Sequence, residues 1–304
     1  MTTTTGRVAT FVSVTAAAAL ALSACGNGNG NGDDETDTET EAGGTIELGI
    51  IPSWTDGLSM AHLWSHILEG EGYDVEITEI NEAGPLYTGV AQGDIDVYPS
   101  AWPEVTHADY MDQYGEDLED LGAWYDGAVL TLAVPEYTDV DSLADLNDNA
   151  DLFDGRIVGI EPGSGHMTIT NNEVFPEYEL DQEFELVESS TVAMLAELES
   201  AIDSEEDIVV ALWRPYWANA EFPVKDLEDP EGALGDPETL NFIANEGFSE
   251  EFPEVAEWMG GFSLDDEQYG ELEDLVVNVH DDDPSAGAAE WLENNQEIVD
   301  ALTG

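Results

Sequence analysis

Residues 45–80 read TIELGIIPSWTDGLSMAHLWSHILEGEGYDVEITEI, and this stretch decides the fold class. Thr45 to Ile51 is a short apolar run of the kind that forms a buried strand. Ser59 then stands where it can cap a helix whose apolar residues Met60, Leu63, Trp64, Ile67 and Leu68 fall at i, i+3, i+4, i+7 and i+8. Gly70 and Gly72 stop it. Val75 to Ile80 alternates as a half-buried strand does.

The same rhythm runs outward from this unit. Val129 to Val134 (VLTLAV), Ile157 to Ile160 and Ile208 to Trp213 (IVVALW) repeat the buried-strand pattern. Between and after them, Thr191 to Ile202 places Val192, Leu195, Leu198 and Ile202 on one helical face, and Ser285 to Leu302 does so with Ala288, Trp291, Leu292, Ile298, Val299 and Leu302. Strands alternating with helices imply an α/β fold with mostly parallel sheets. No internal repeat and no second linker interrupts the pattern, so two lobes have to arise by the chain crossing over and returning. The crossings are expected near Val134-Pro135 and between Val224 and Pro230, giving one lobe of residues 45–134 plus 231–304 and a second of 135–230.

The chain has 304 residues, with 70 Asp and Glu against 4 Lys and Arg, a formal net charge of −66. Nucleic-acid binding needs clustered basic side chains to displace counterions, and only Arg7, Arg156, Arg214 and Lys225 are on offer. A nucleic-acid partner is excluded. Disorder is the usual fate of so acidic a chain, but 8 Trp, 10 Tyr and 9 Phe supply a sizeable core. The compact state repels itself in dilute buffer and is relieved by salt, which fits a protein working in salty surroundings. One cysteine rules out an internal disulfide.

That cysteine sits in an informative place. Residues 1–24 read as a thinly basic start followed by the apolar run Phe11 to Leu22, too short to span a membrane. Leu22-Ser23-Ala24-Cys25 resembles the bacterial lipobox, which makes 1–24 a lipoprotein signal peptide and Cys25 the lipid attachment site. Residues 25–44, Gly/Asn-rich and then acidic, have the composition of a flexible tether. The expectation is an extracytoplasmic protein anchored to the cell membrane.

Catalytic and metal patterns fail one after another. Asp145-Leu-Asn147-Asp-Asn149 starts like a calcium loop, yet its sixth position is Ala150 and its twelfth Arg156. His280-Asp281-Asp282-Asp283 is one acidic run among many. No G-x-S-x-G, H-E-x-x-H, C-x-x-C or phosphate-loop pattern occurs. No catalytic residue, metal or cofactor is assigned, and a secreted carbohydrate-active or metal-dependent enzyme stands only as the alternative of another class.

The tryptophans carry more. Trp54 (IIPSWTDG), Trp102 (YPSAWPEVTH) and Trp213 (VVALWRPYW) each follow an apolar run, and strand ends in α/β folds face the ligand crevice. Three indole faces around one point form a box for a quaternary ammonium, a cation that cannot donate hydrogen bonds. The competing reading makes them core residues like Trp64 and Trp291.

The words around them resemble the substrate-binding proteins of glycine betaine ABC importers. AGP (83–85), SAW-x-x-x-x-H (100–107), PGSG (162–165) and W-x-P-x-W (213–217) carry the resemblance, which runs from Thr45 to the C-terminus. It implies a two-lobed, type II periplasmic-binding-protein-like fold with the ligand cleft between lobes, a monomer that delivers to ABC permease subunits. It implies that Trp54, Trp102 and Trp213 enclose the trimethylammonium, and that His107 with the turn residues Gly165 and His166 holds the carboxylate. Position 166 departs from the family pattern, which has an aliphatic residue there. Choline or carnitine binding is the runner-up within the class. Trp217 is expected to support the cage, Trp124 to pack, and Arg214 to form a salt bridge rather than a carboxylate clamp.

Overall fold

The structure, a computed structural model, describes residues 43–304. The expected signal peptide, Cys25 and the tether as far as residue 42 lie outside the described residues. The described residues hold one sheet of nine strands: β1 (Thr45–Ile50), β2 (Asp74–Glu79), β3 (Val97–Ala101), β4 (Leu118–Pro135), β5 (Arg156–Val158), β6 (Glu185–Val187), β7 (Val209–Arg214), β8 (Val224–Asp226) and β9 (Glu238–Asn245). Their order is β2-β1-β3-β9-β4-β7-β5-β6, with β8 beside β4.

Parallel ladders occur within each half, β2-β1-β3 on one side and β6-β5-β7 on the other. The long strand β4 joins them, pairing antiparallel with β9 through Leu118–Ala128 and with β7 through Val129–Ala133. The sheet is therefore mixed, and not mostly parallel as the strand–helix rhythm implied. Its first stretch, LEDLGAWYDGA, hides from pattern reading because acidic residues and glycines break the alternation. Register shifts fall at Asp120/Gly122, Ala123/Tyr125 and Asp126/Ala128, and Gly122 and Gly127 take φ of 126° and 96° that side chains resist.

The first helix, Thr55–Gly70, begins at Trp54 as its N-cap position, ahead of the expected Ser59, which is buried inside it. Its face of Met60, Leu63, Trp64, Ile67 and Leu68 is buried as the spacing required. Trp64 meets Phe242 and Phe262 edge-on, at centroid distances of 5.3 and 5.5 Å, so this helix packs against β9. The helix Thr191–Ser204 buries Thr191, Met194, Leu198 and Ala201, while Val192, expected on its core face, is exposed. The C-terminal helix is two, Pro284–Asn294 and Gln296–Thr303. Asn295 separates them, its side-chain amide donating to the carbonyl of Trp291 at 3.0 Å.

Trp64, Trp124 and Trp291 are core residues, fully buried. Trp124 donates its indole N–H to the carbonyl of Pro99 at 2.9 Å. Among the described residues no helix is long and apolar enough to cross a membrane, and no group of three or more His, Cys, Asp or Glu side chains is placed to hold a metal ion.

Candidate ligand cavity

Four chain segments end at one point. Trp54 follows β1, Trp102 and His107 follow β3, the turn Glu161 to Gly165 follows β5, and Trp213 lies near the end of β7. These are the carboxyl ends of the parallel strands, where open α/β sheets keep their crevices. One cavity is lined by Trp54, Trp102, Trp213, His107, Gly165 and His166, every residue the sequence put forward for ligand contact.

Each indole is held by its own partner. Trp102 donates Nε1–H to a carboxylate oxygen of Asp56 at 3.0 Å, which also accepts from Ser100 at 2.6 Å. Trp54 donates Nε1–H to Glu161 at 3.4 Å. Trp213 is backed by the ring of Tyr216, stacked at a centroid distance of 4.2 Å. That support comes from Tyr216 and not from Trp217, whose ring packs on Tyr216 and Phe222 instead. Burial pushes the Asp56 carboxyl above its usual range, while the bonds from Ser100 and Trp102 hold it down.

His107 is almost wholly buried behind Tyr87, Tyr98 and Trp54. The amide of Trp102 donates to its Nδ1 at 3.0 Å. Nδ1 is thereby an acceptor, so the ring proton sits on Nε2. Burial lowers its pKa to about 3, and the imidazole is a neutral donor at physiological pH. Nε2 has no hydrogen-bond partner among the described residues.

Across the cavity, Ser164 caps the short helix Gly165–Ile169, its hydroxyl accepting from the amide of Met167 at 3.3 Å. The amides of Gly165 and His166 make no hydrogen bond within the described residues, as first-turn amides do not. Only glycine fits at 165, because a Cβ there would stand 1.7 Å from the carbonyl oxygen of Thr106. The imidazole of His166 donates Nε2–H to the carbonyls of Thr131 and Leu212 at 3.0 and 2.9 Å, and Thr170 lies 3.0 Å from Nδ1. Its side-chain donor is spent on β4 and β7, leaving the backbone amide for the cavity.

Arg156, Arg214 and Lys225 are paired elsewhere, with Glu197 at 2.8 Å, with Asp226 at 2.6 Å and with Asp141. An anion in this cavity meets uncharged donors. Asp56, Thr106, Leu130, Ile160 and Ser164 also line it. Of these, Ser164 falls in the PGSG word, whereas the sequence singled out neither Asp56 nor Thr106, Leu130 or Ile160.

The family described as OpuAC, substrate binding domain of ABC-type glycine betaine transport system, matches residues 44–294. The chain belongs to this family. A glycine betaine/carnitine transport binding protein, GbuC of Listeria monocytogenes, is 32% identical over 145 residues, 47% of this chain and 47% of that protein. The match thus spans about half the length of that relative. Lactococcal OpuAC, solved closed and complexed with glycine betaine, superposes with a TM-score of 0.78 at 28% identity, covering 86% of this chain and 99% of that one. An ABC-transporter choline binding protein in complex with choline gives 0.75 at 27% identity, covering 84% and 90%. As an OpuAC-family domain the protein is the substrate-binding component of a glycine betaine-type ABC transporter, extracytoplasmic, and not an enzyme. The enzyme alternative is set aside on that ground.

Proposed function

We propose that this OpuAC-family protein captures glycine betaine, or a close relative such as proline betaine, for osmoprotectant uptake. The convergence of Trp54, Trp102 and Trp213 with the free Nε2–H of His107 and the amides of Gly165 and His166 in one cavity carries the reading. The indole faces take the methylated ammonium and the three donors take the carboxylate. Desolvated cation–π contacts are worth roughly 0.5–2 kcal/mol each. Together with the carboxylate bonds they reach the about 8 kcal/mol of micromolar binding. Ligand enters between two lobes, which close by hinge motion and present a closed shape to the permease subunits. The change of partners along β4 at Ala128/Val129 supports a lobe boundary a few residues before the expected 134/135.

Choline is the second reading, and Asp56 favours it. A carboxylate lining the cage supplies a counter-charge to a cation that brings none of its own.

The chain works as a monomer tethered through a lipid on Cys25, and its acidic surface suits high salt. Mass spectrometry of the mature N-terminus checks the lipid. Intrinsic tryptophan fluorescence, titrated with glycine betaine, proline betaine, choline and carnitine in about 1–3 M NaCl, checks the ligand. Saturation with glycine betaine, lost in Trp102→Ala, supports the cage. Response to choline alone moves the assignment to the second reading, and no response from folded protein overturns both.

A further inference from the structure

Glu161, the residue just before the PGSG turn, is not one of the cavity's wall residues, yet four donors converge on its carboxylate. On its own side of the cavity, Thr191 gives it the backbone amide at 2.9 Å and the hydroxyl at 2.7 Å. From the opposite side, Ser53 gives its hydroxyl and Trp54 its indole N–H, both at 3.4 Å. The two sides belong to different halves of the sheet, since Ser53 and Trp54 follow β1 while Glu161 follows β5 and Thr191 opens the helix after β6.

The asymmetry says which bonds break first. The Thr191 bonds have the short lengths of charge-assisted hydrogen bonds, and Thr191 is the first residue of a fourteen-residue helix, whose positive end favours a carboxylate. The Ser53 and Trp54 bonds are long and correspondingly weak. If the halves separate, Glu161 stays with Thr191 and releases Trp54. Tyr110 makes a second bridge beside it, its hydroxyl donating to the carbonyl of Gly163 at 2.7 Å, but that bond reaches no cage residue. Glu161 does.

We propose that Glu161 is a positioning residue that ties the two halves together over bound ligand, fixing the indole of Trp54 in the cage when the site closes. This rests on the ligand reading above. A tie made only on closure slows escape and leaves capture alone, so it acts on koff and not on kon. A merely structural residue would lower stability without separating the two rates.

The test uses the intact chain and its Glu161→Gln variant, with Ser53→Ala as a milder companion. Stopped-flow tryptophan fluorescence with glycine betaine reads kon and koff, and the indole ¹⁵N–¹H resonance of Trp54, assigned with Trp54→Phe, reads the hydrogen bond. Glu161→Gln is expected to raise koff by about tenfold with kon within about twofold, and to reduce the ligand-induced shift of the Trp54 resonance. Ser53→Ala is expected to move koff the same way by less. Unchanged koff and an unchanged resonance in Glu161→Gln, with glycine betaine still bound, would overturn the tie alone. A fall in kon at constant koff would also overturn it, making Glu161 a guide for entry. Failure of the unaltered chain to bind glycine betaine or choline would overturn the ligand reading and the tie with it.

Discussion

The amide of Trp102 donates to Nδ1 of His107 at 3.0 Å, and the amide of His107 donates back to the carbonyl of Trp102 at 2.8 Å. This reciprocal pair closes the loop SAWPEVTH into a rigid unit carrying a cage face at one end and a donor at the other. It also settles the charge of that donor. With Nδ1 engaged as an acceptor and burial depressing the pKa to about 3, the ring offers a neutral Nε2–H.

His107→Ala is accordingly expected to weaken glycine betaine about tenfold while leaving choline within about threefold. Betaine affinity owes no change to this residue between pH 8 and 5, because the ring stays neutral throughout. Fluorescence titrations with both ligands across that range check both statements. For stability the sign is the reverse of a salt-bridged histidine. The unfolded chain takes up this proton below the ordinary 6.5 and the folded chain only near 3, so His107 costs stability increasingly as pH falls through that window.

Glu273 works in the opposite direction. Burial lifts its pKa from 4.5 to about 7, against the opposing bond from Thr55. Its raised folded pKa contributes stability that is complete below 4.5 and is lost as pH rises through 7. Glu273→Gln is expected to flatten the melting temperature across that interval and to raise it at pH 8 relative to the unaltered protein. Thermal melts at several pH values decide it.

Gly165→Ala tests the close approach of the two cavity walls. With no room for a Cβ against the Thr106 carbonyl, the turn and the 102–107 loop must separate. Affinity is expected to fall by more than about tenfold, because the donors withdraw from the His107 side. The ligand-free melting temperature should change much less.

His166→Val puts an aliphatic side chain at position 166, as the family resemblance implies there. Losing the bonds to Thr131 and Leu212 is expected to lower stability by about 1–3 kcal/mol. Affinity for glycine betaine should stay within about threefold, since the backbone amide at 166 is unaltered. A large loss of affinity at unchanged stability would assign the imidazole to the ligand.

Salt should stabilise this chain. At a net charge of −66, self-repulsion is screened over about 10 Å at 0.1 M and about 3 Å at 1 M salt. Melting temperature is expected to climb between about 0.1 and 2 M NaCl. A flat profile would remove the halophilic reading of the surface.

Much of this protein was legible in its order of residues. The helical face Met60, Leu63, Trp64, Ile67, Leu68 and the strands at 45–50 and 209–214 follow from apolar spacing, because burial of one face is a local demand written every two or every three to four residues. Trp54, Trp102, Trp213, His107 and the PGSG turn stood out by their words, and those four side chains line one cavity with Ser164 and Gly165 of the turn.

Other features have no local signature. Leu118–Ala128 is a strand only because β9 lies beside it, pairing across more than a hundred residues of chain and tolerating two glycines at bulges. Leu130 and Ile160 read as ordinary buried-strand residues, yet they line the cavity. Glu161 was one of 70 acidic residues. Composition and periodicity by themselves fixed the α/β class and the charge, and the words that carry the family resemblance gave the candidate cage. The tertiary structure decided the mixed sheet, the tautomer of His107, the outward use of the His166 ring and the bridge at Glu161, because each depends on which distant backbone group comes within hydrogen-bonding distance.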